Sequence, residues 1–154
     1  MGVEEIVSES RRNRMTDTPT TLTVKCEIDV PFERITNCIT GAIEGGSTYW
    51  CNQFMASDDE QSTRLYQTAR NEGDVWYDSE NYWTGGGTAA LAFDQPTAEH
   101  SGKATIGQTQ LVNGLNVMAQ IAPRHFGDLL NENDDATTHD VFLQCVLFGE
   151  VVFG

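Results

Sequence analysis

Leu22, Val24, Cys26, Ile28 and Val30 alternate with Thr23, Lys25, Glu27 and Asp29. A period of two predicts a strand with one apolar face, and this is the clearest strand signal in the chain. Pro31 stops the strand and suits a first helical turn. Phe32, Ile35, Ile39, Ala42 and Ile43 then recur at helical spacing, and Gly45-Gly46 offers the residue a left-handed cap prefers. Thr48 to Phe54 reads as a second strand. Residues 56–73 form a polar connection with room for a short helix. Val75-Trp76-Tyr77 is a short strand candidate. The glycines Gly85 to Gly87 lead, as a bulge or hairpin turn, into a strand over Thr88 to Asp94, and 95–103 reads as a loop.

The second half has a helical period. Thr105 with Gln108 matches a capping box. Leu111, Leu115, Met118 and Ala122 form one apolar stripe, Pro123 restarts it, and Phe126, Leu129 and Leu130 continue it. An acidic loop, Asn131 to Asp135, precedes a last helix carrying Val141, Phe142, Cys145, Val146 and Phe148. Asp135 or Thr138 is its cap and Gly149 its end. Val151-Val152-Phe153 is too apolar to dangle and is expected to be buried or paired. Strands first and helices later predict an α+β fold: a small mixed or antiparallel sheet packed against about three helices. One domain over 21–154 follows a flexible, polar arm over 1–20 that holds Arg11, Arg12 and Arg14.

Charge changes the picture. The chain has 23 Asp+Glu against 9 Lys+Arg, a net charge of -14, and only two lysines, Lys25 and Lys103. Such a surface repels phosphate backbones, so no groove binding to nucleic acid is expected. Salt adaptation and a decoy of DNA phosphates both explain it. The spread of acids over most of the chain favours adaptation. No apolar run reaches the roughly 20 residues of a membrane helix, and the opening residues lack the apolar core of a secretory signal. The four cysteines, Cys26, Cys38, Cys51 and Cys145, form no C-x-x-C pair and sit in apolar settings. They read as buried free thiols, with no metal site and no cofactor expected.

Catalytic patterns are missing. His100, His125 and His139 lie outside any H-E-x-x-H, and no G-x-S-x-G is present. His125 and Asp128, three apart, suit a surface pair, whereas His139 and Cys145 fall on different sides of a helix. Asn131 to Asp135 fails as an EF-hand, with Ala136 at the glycine position and Phe142 at the closing glutamate. The candidate ligand- or partner-binding residues are Glu44, Tyr49, Trp50, Asp140 and Glu150. Glu44 and Glu150 sit where helices end and a negative charge is unfavourable. The aromatic pair offers a flat surface, of which one ring is core and one outward. Two of the three tryptophans are expected in the core.

Three stretches carry a family resemblance: Ala42 to Trp50 with its EGGSTYW segment, Pro123-Arg124-His125-Phe126, and Asp140 to Gly154 with its LFGEVVFG ending. Together they resemble a small protein family of tailed bacteriophages and prophages. The resemblance covers most of 22–154. It implies a viral or prophage origin and no particular mechanism, and the acidic, lysine-poor composition suits a virus of a salt-loving host. The expected function is that of a non-enzymatic viral accessory protein. It would bind a host or viral protein, or a small ligand, in the host cytoplasm, in the contest with host defence. The alternative is a virion structural or assembly component, and homo-oligomerisation fits either. A third reading is a small hydrolase using carboxylates around Glu44 and Asp140.

Overall fold

A computed structural model describes residues 20–154, so the arm expected over 1–20 lies outside the described residues apart from Thr20. The fold is α+β. Six α-helices accompany a three-stranded antiparallel sheet among the described residues. The helices are α1 (Phe32–Gly41), α2 (Glu60–Asn71), α3 (Glu80–Thr84), α4 (Gln108–Ile121), α5 (Pro123–Leu130) and α6 (Ala136–Phe148). The strands are β1 (Cys51–Ala56), β2 (Ala89–Phe93) and β3 (Lys103–Ile106), in that order across the sheet, with a bulge between Cys51 and Gln53. Ala89, Leu91, Phe93 and Ile106 face the core.

The strongest strand signal does not become a strand. Residues 21–30 form no regular element, and Leu22 and Val24 are 93% and 81% exposed. Alternation makes a face, but a strand also needs a neighbour for its backbone groups. Among the described residues none lies alongside. Conversely β3 was expected as loop and helix cap, because four residues are too few to show a period.

Other differences have equally local causes. The polar stretch 56–73 holds a full helix, α2, because Asp59 caps it by accepting from the Ser62 N–H at 2.8 Å. Val75 to Tyr77 is not a strand. The chain makes a 3-10 turn over Trp76–Asp78 that lays Trp76 on Phe54 at 5.6 Å and on Tyr82 at 4.8 Å. The three glycines join α3 to β2, and only Gly86 needs the left-handed region, at φ 96°. The cap of α4 is shifted by two residues, with Gln110 Oε1 accepting from the Gly107 N–H at 2.8 Å. Gly45 and Gly46 do not make a left-handed cap. Helix α1 runs instead into a π turn over Ala42–Gly46, closed by the Ser47 N–H on the Ala42 carbonyl at 2.8 Å.

Helix α6 passes through the middle of the molecule and buries Thr138 and every residue from Asp140 to Val146. Its neighbours come close because they present glycine. A Cβ on Gly114 of α4 would stand 2.7 Å from the Val146 Cα, and one on Gly46 would overlap the Ala136 carbonyl oxygen. Asp135 caps the helix, accepting from the Thr138 N–H at 2.9 Å, and Gly149 ends it at φ 69°.

Candidate functional site

A single buried carboxylate organises the centre. Asp140 sits in the second turn of α6 and is 8% exposed. Its Oδ1 accepts from the Ser47 hydroxyl at 2.8 Å and the Trp50 Nε1–H at 2.7 Å. Its Oδ2 accepts from the Tyr49 hydroxyl at 2.6 Å and the Gln144 amide at 3.1 Å. Four neutral donors thus solvate a charge that has no cationic partner among the described residues, and burial without such donors would be prohibitive. The π turn matters here, because it delivers Ser47, Tyr49 and Trp50 to the flank of α6. Burial, then the bond to Asp140, pushes the Tyr49 hydroxyl up to about 12.

Gln144, one turn on and fully buried, links this centre to the C-terminal tail. Its Oε1 accepts from the N–H groups of Val152 and Phe153, both at 2.8 Å. Phe153 then stacks on Trp50 with ring centroids 5.2 Å apart and planes 11° apart. The expectation that the tail is paired holds for Val152 and Phe153, while Val151 stays 45% exposed.

Of the five residues named from sequence, Tyr49, Trp50 and Asp140 meet directly, and Glu44 and Glu150 do not join them. Glu44 lies exposed in the π turn and accepts from the Tyr77 hydroxyl at 2.6 Å. That bond, with burial, pushes Tyr77 up to about 12. Glu150 is exposed, since the left-handed Gly149 turns the backbone inward and leaves the next side chain in solvent. Trp50 is itself wholly buried, so no open patch of Glu44 and Trp50 forms. Trp83 is also core and Trp76 half-buried. Ser47 and Gln144 were missed, because a small hydroxyl and a mid-helix amide carry no sequence signal.

A second cluster lies one residue away. The imidazole of His139 meets Asp134 Oδ2 at 2.5 Å, and with Cys38 of α1 the three ligating atoms all lie within 4.8 Å of one another. Cys38 is fully buried, and burial followed by the Asp134 charge pushes its thiol up to about 12. A Cβ on Gly41, one turn along α1, would overlap the His139 ring, so the glycine makes room for it. His125, expected beside Asp128, instead faces the Thr138 hydroxyl at 3.1 Å. The cysteines are not uniformly buried as expected: Cys38 and Cys145 are, Cys51 is half-buried, and Cys26 is exposed on the extended segment.

That segment borders a groove of about 370 Å³ whose far wall is Leu111, Val112 and Leu115 of α4. Val30 closes onto the core and Ile28 lines the groove at 48% exposure, whereas Leu22 and Val24 face solvent. No described helix is long and apolar enough to cross a membrane. No protein-family model matches the chain, and no curated protein or solved structure proved similar to it.

Proposed function

We propose that this is a non-enzymatic viral accessory protein that works by binding another protein, and that residues 21–30 are the strand it offers. One observation carries the reading. The segment has a strand's alternation, yet Leu22, Val24 and Ile28 are 93%, 81% and 48% exposed. Chains rarely keep such a stripe in water without a use for it. Added to the sheet edge of a partner, the segment gives its backbone groups to the partner's edge and its apolar side chains to alternate pockets. Burying these side chains, of which Ile28 is already half-covered, offers about 4–7 kcal/mol before ordering costs. The net charge of -14 favours a partner with a neutral or basic rim and disfavours nucleic acid. The partner is a host or viral protein met in the host cytoplasm. The tail is held by Gln144, so it is not a free assembly peptide.

The test is a pull-down from infected-host lysate with the wild type and with Leu22→Asp/Val24→Asp, plus amide hydrogen exchange on the recovered complex. The expected result is a partner held by the wild type and lost with the variant, with amides 22–30 protected in the complex. A partner retained equally by the variant, or none recovered by either, refutes the proposal.

A further inference from the structure

We propose that Cys38, Asp134 and His139 form a binding site for a single Zn²⁺ ion, independently of the strand-docking reading. The donor set is a thiol, an imidazole and a carboxylate from two helices and the loop between α5 and α6. A thiolate with an imidazole selects zinc over the hard cations that carboxylates alone would attract. The spacing also fits. A tetrahedral ion with bonds of about 2.0–2.3 Å holds its ligand atoms roughly 3.5 Å apart, and the three donors already lie within 4.8 Å of each other. The His139–Asp134 contact, 2.5 Å, must open to admit the ion. Asp134 can make that movement, because it stands on a loop with its side chain 16% exposed.

The surroundings hold the donors together. Gly41 makes room for the His139 ring against the helix that bears Cys38. Glu132 adopts the left-handed region at φ 59°, which a non-glycine residue seldom does. Its carboxylate pairs with Arg34 of α1 at 2.7 Å, tying the loop that carries Asp134 to the helix that carries Cys38. The alternative use of these residue types is a cysteine nucleophile with a His–Asp base. It fails on access, since Cys38 is wholly buried and no organic substrate reaches its sulfur. A bare ion needs only to replace the thiol proton, which leaves to solvent. Three protein ligands leave a fourth position for water.

The test uses the full chain, stripped with a chelator and titrated with Co²⁺ and then Zn²⁺. The cobalt–thiolate charge-transfer absorption reports only a thiolate ligand, so the many surface carboxylates do not contribute. One equivalent of Co²⁺ should produce that absorption, and one of Zn²⁺ should abolish it. Cys38→Ser should lose it and Cys26→Ser should keep it. Asp134→Asn and His139→Asn should each weaken zinc binding at least about tenfold, the lower bound for losing even an outer-sphere partner. Should Cys38→Ser fail to fold, X-ray absorption of the wild-type zinc protein replaces it, with one sulfur at about 2.3 Å expected. No thiolate absorption in the wild type, absorption that survives Cys38→Ser, or a zinc shell without sulfur overturns the proposal and leaves an ordinary His–Asp pair beside an inert thiol.

Discussion

Replacing Asp140 by alanine removes the acceptor for four donors at once. Ser47, Trp50 and Gln144 are each 0% exposed, so their freed groups cannot reach water, whereas Tyr49, 55% exposed, can. A buried donor left without a partner costs about 1–3 kcal/mol. The Ser47 hydroxyl can rotate toward another acceptor, and removal of a buried charge returns part of its desolvation cost. The Trp50 indole then loses its acceptor outright while the Gln144 amide keeps only the Phe153 carbonyl at 3.3 Å, and these two donors carry most of the loss, which we put at about 3 kcal/mol. Gln144 also holds the tail, so Phe153 should loosen from Trp50 and the indole fluorescence of the native state should change. Urea unfolding followed by that fluorescence is the assay. At a slope of about 2 kcal/mol per molar urea the midpoint should fall by roughly 1.5 M. Asp140→Asn keeps an oxygen for Ser47 and Trp50 but turns an amide against Gln144, so it should cost less, about 1–2 kcal/mol. A loss below about 1 kcal/mol for the alanine variant with an unchanged slope would refute the view that this carboxylate organises the centre.

Three further outcomes are expected. Gly114→Ala, whose Cβ would meet the Val146 backbone at 2.7 Å, should destabilise by about 1–3 kcal/mol; Gly127→Ala in α5, which meets nothing within 4 Å, should stabilise by about 0.5–1 kcal/mol, and thermal melts of both check the pair. The melting temperature should rise from 0.1 M to 1 M KCl, as the screening length falls from about 10 to about 3 Å around a strongly negative surface, and a flat or falling trend would exclude net self-repulsion. Stability should decline above about pH 9: the Cys38 thiol, ordinarily near 9, and the Tyr49 and Tyr77 hydroxyls, ordinarily near 10, are all pushed up to about 12 in the folded protein. The folded state then holds protons that the unfolded state releases, so stability present below those ordinary values is lost as pH rises through 12. Tyr49→Phe with Tyr77→Phe should flatten the decline only above about pH 10 in urea midpoints measured across the range.

Periodicity along the chain determined the helices that bury a continuous stripe. Phe32 to Ile43, Leu111 to Ala122 and Val141 to Phe148 each carry enough apolar positions to specify a buried face without knowing what covers it. The ends of the last helix were legible for a similar reason, as Asp135 or Thr138 at its start and Gly149 at its close, since capping is a local matter of one side chain or one left-handed residue; the structure places the cap at Asp135. Tyr49, Trp50 and Asp140 could each be singled out from sequence. Their convergence could not, because 90 residues separate Trp50 from Asp140 and only the packing of the π turn on α6 closes that distance. Tertiary structure likewise decided what the segment around Val24 does. Alternation supplies an apolar face, but a strand exists only when a neighbour accepts its backbone hydrogen bonds, and neighbours are a property of the whole chain. Glu44 shows the same limit from the other side: its unfavourable place near a helix end could be read locally, while its partner, Tyr77, lies 33 residues away. The meeting of Cys38, Asp134 and His139 had no spacing to betray it, since its members come from α1, a loop and α6, and only the absence of a Cβ at Gly41 lets the two helices close on that point.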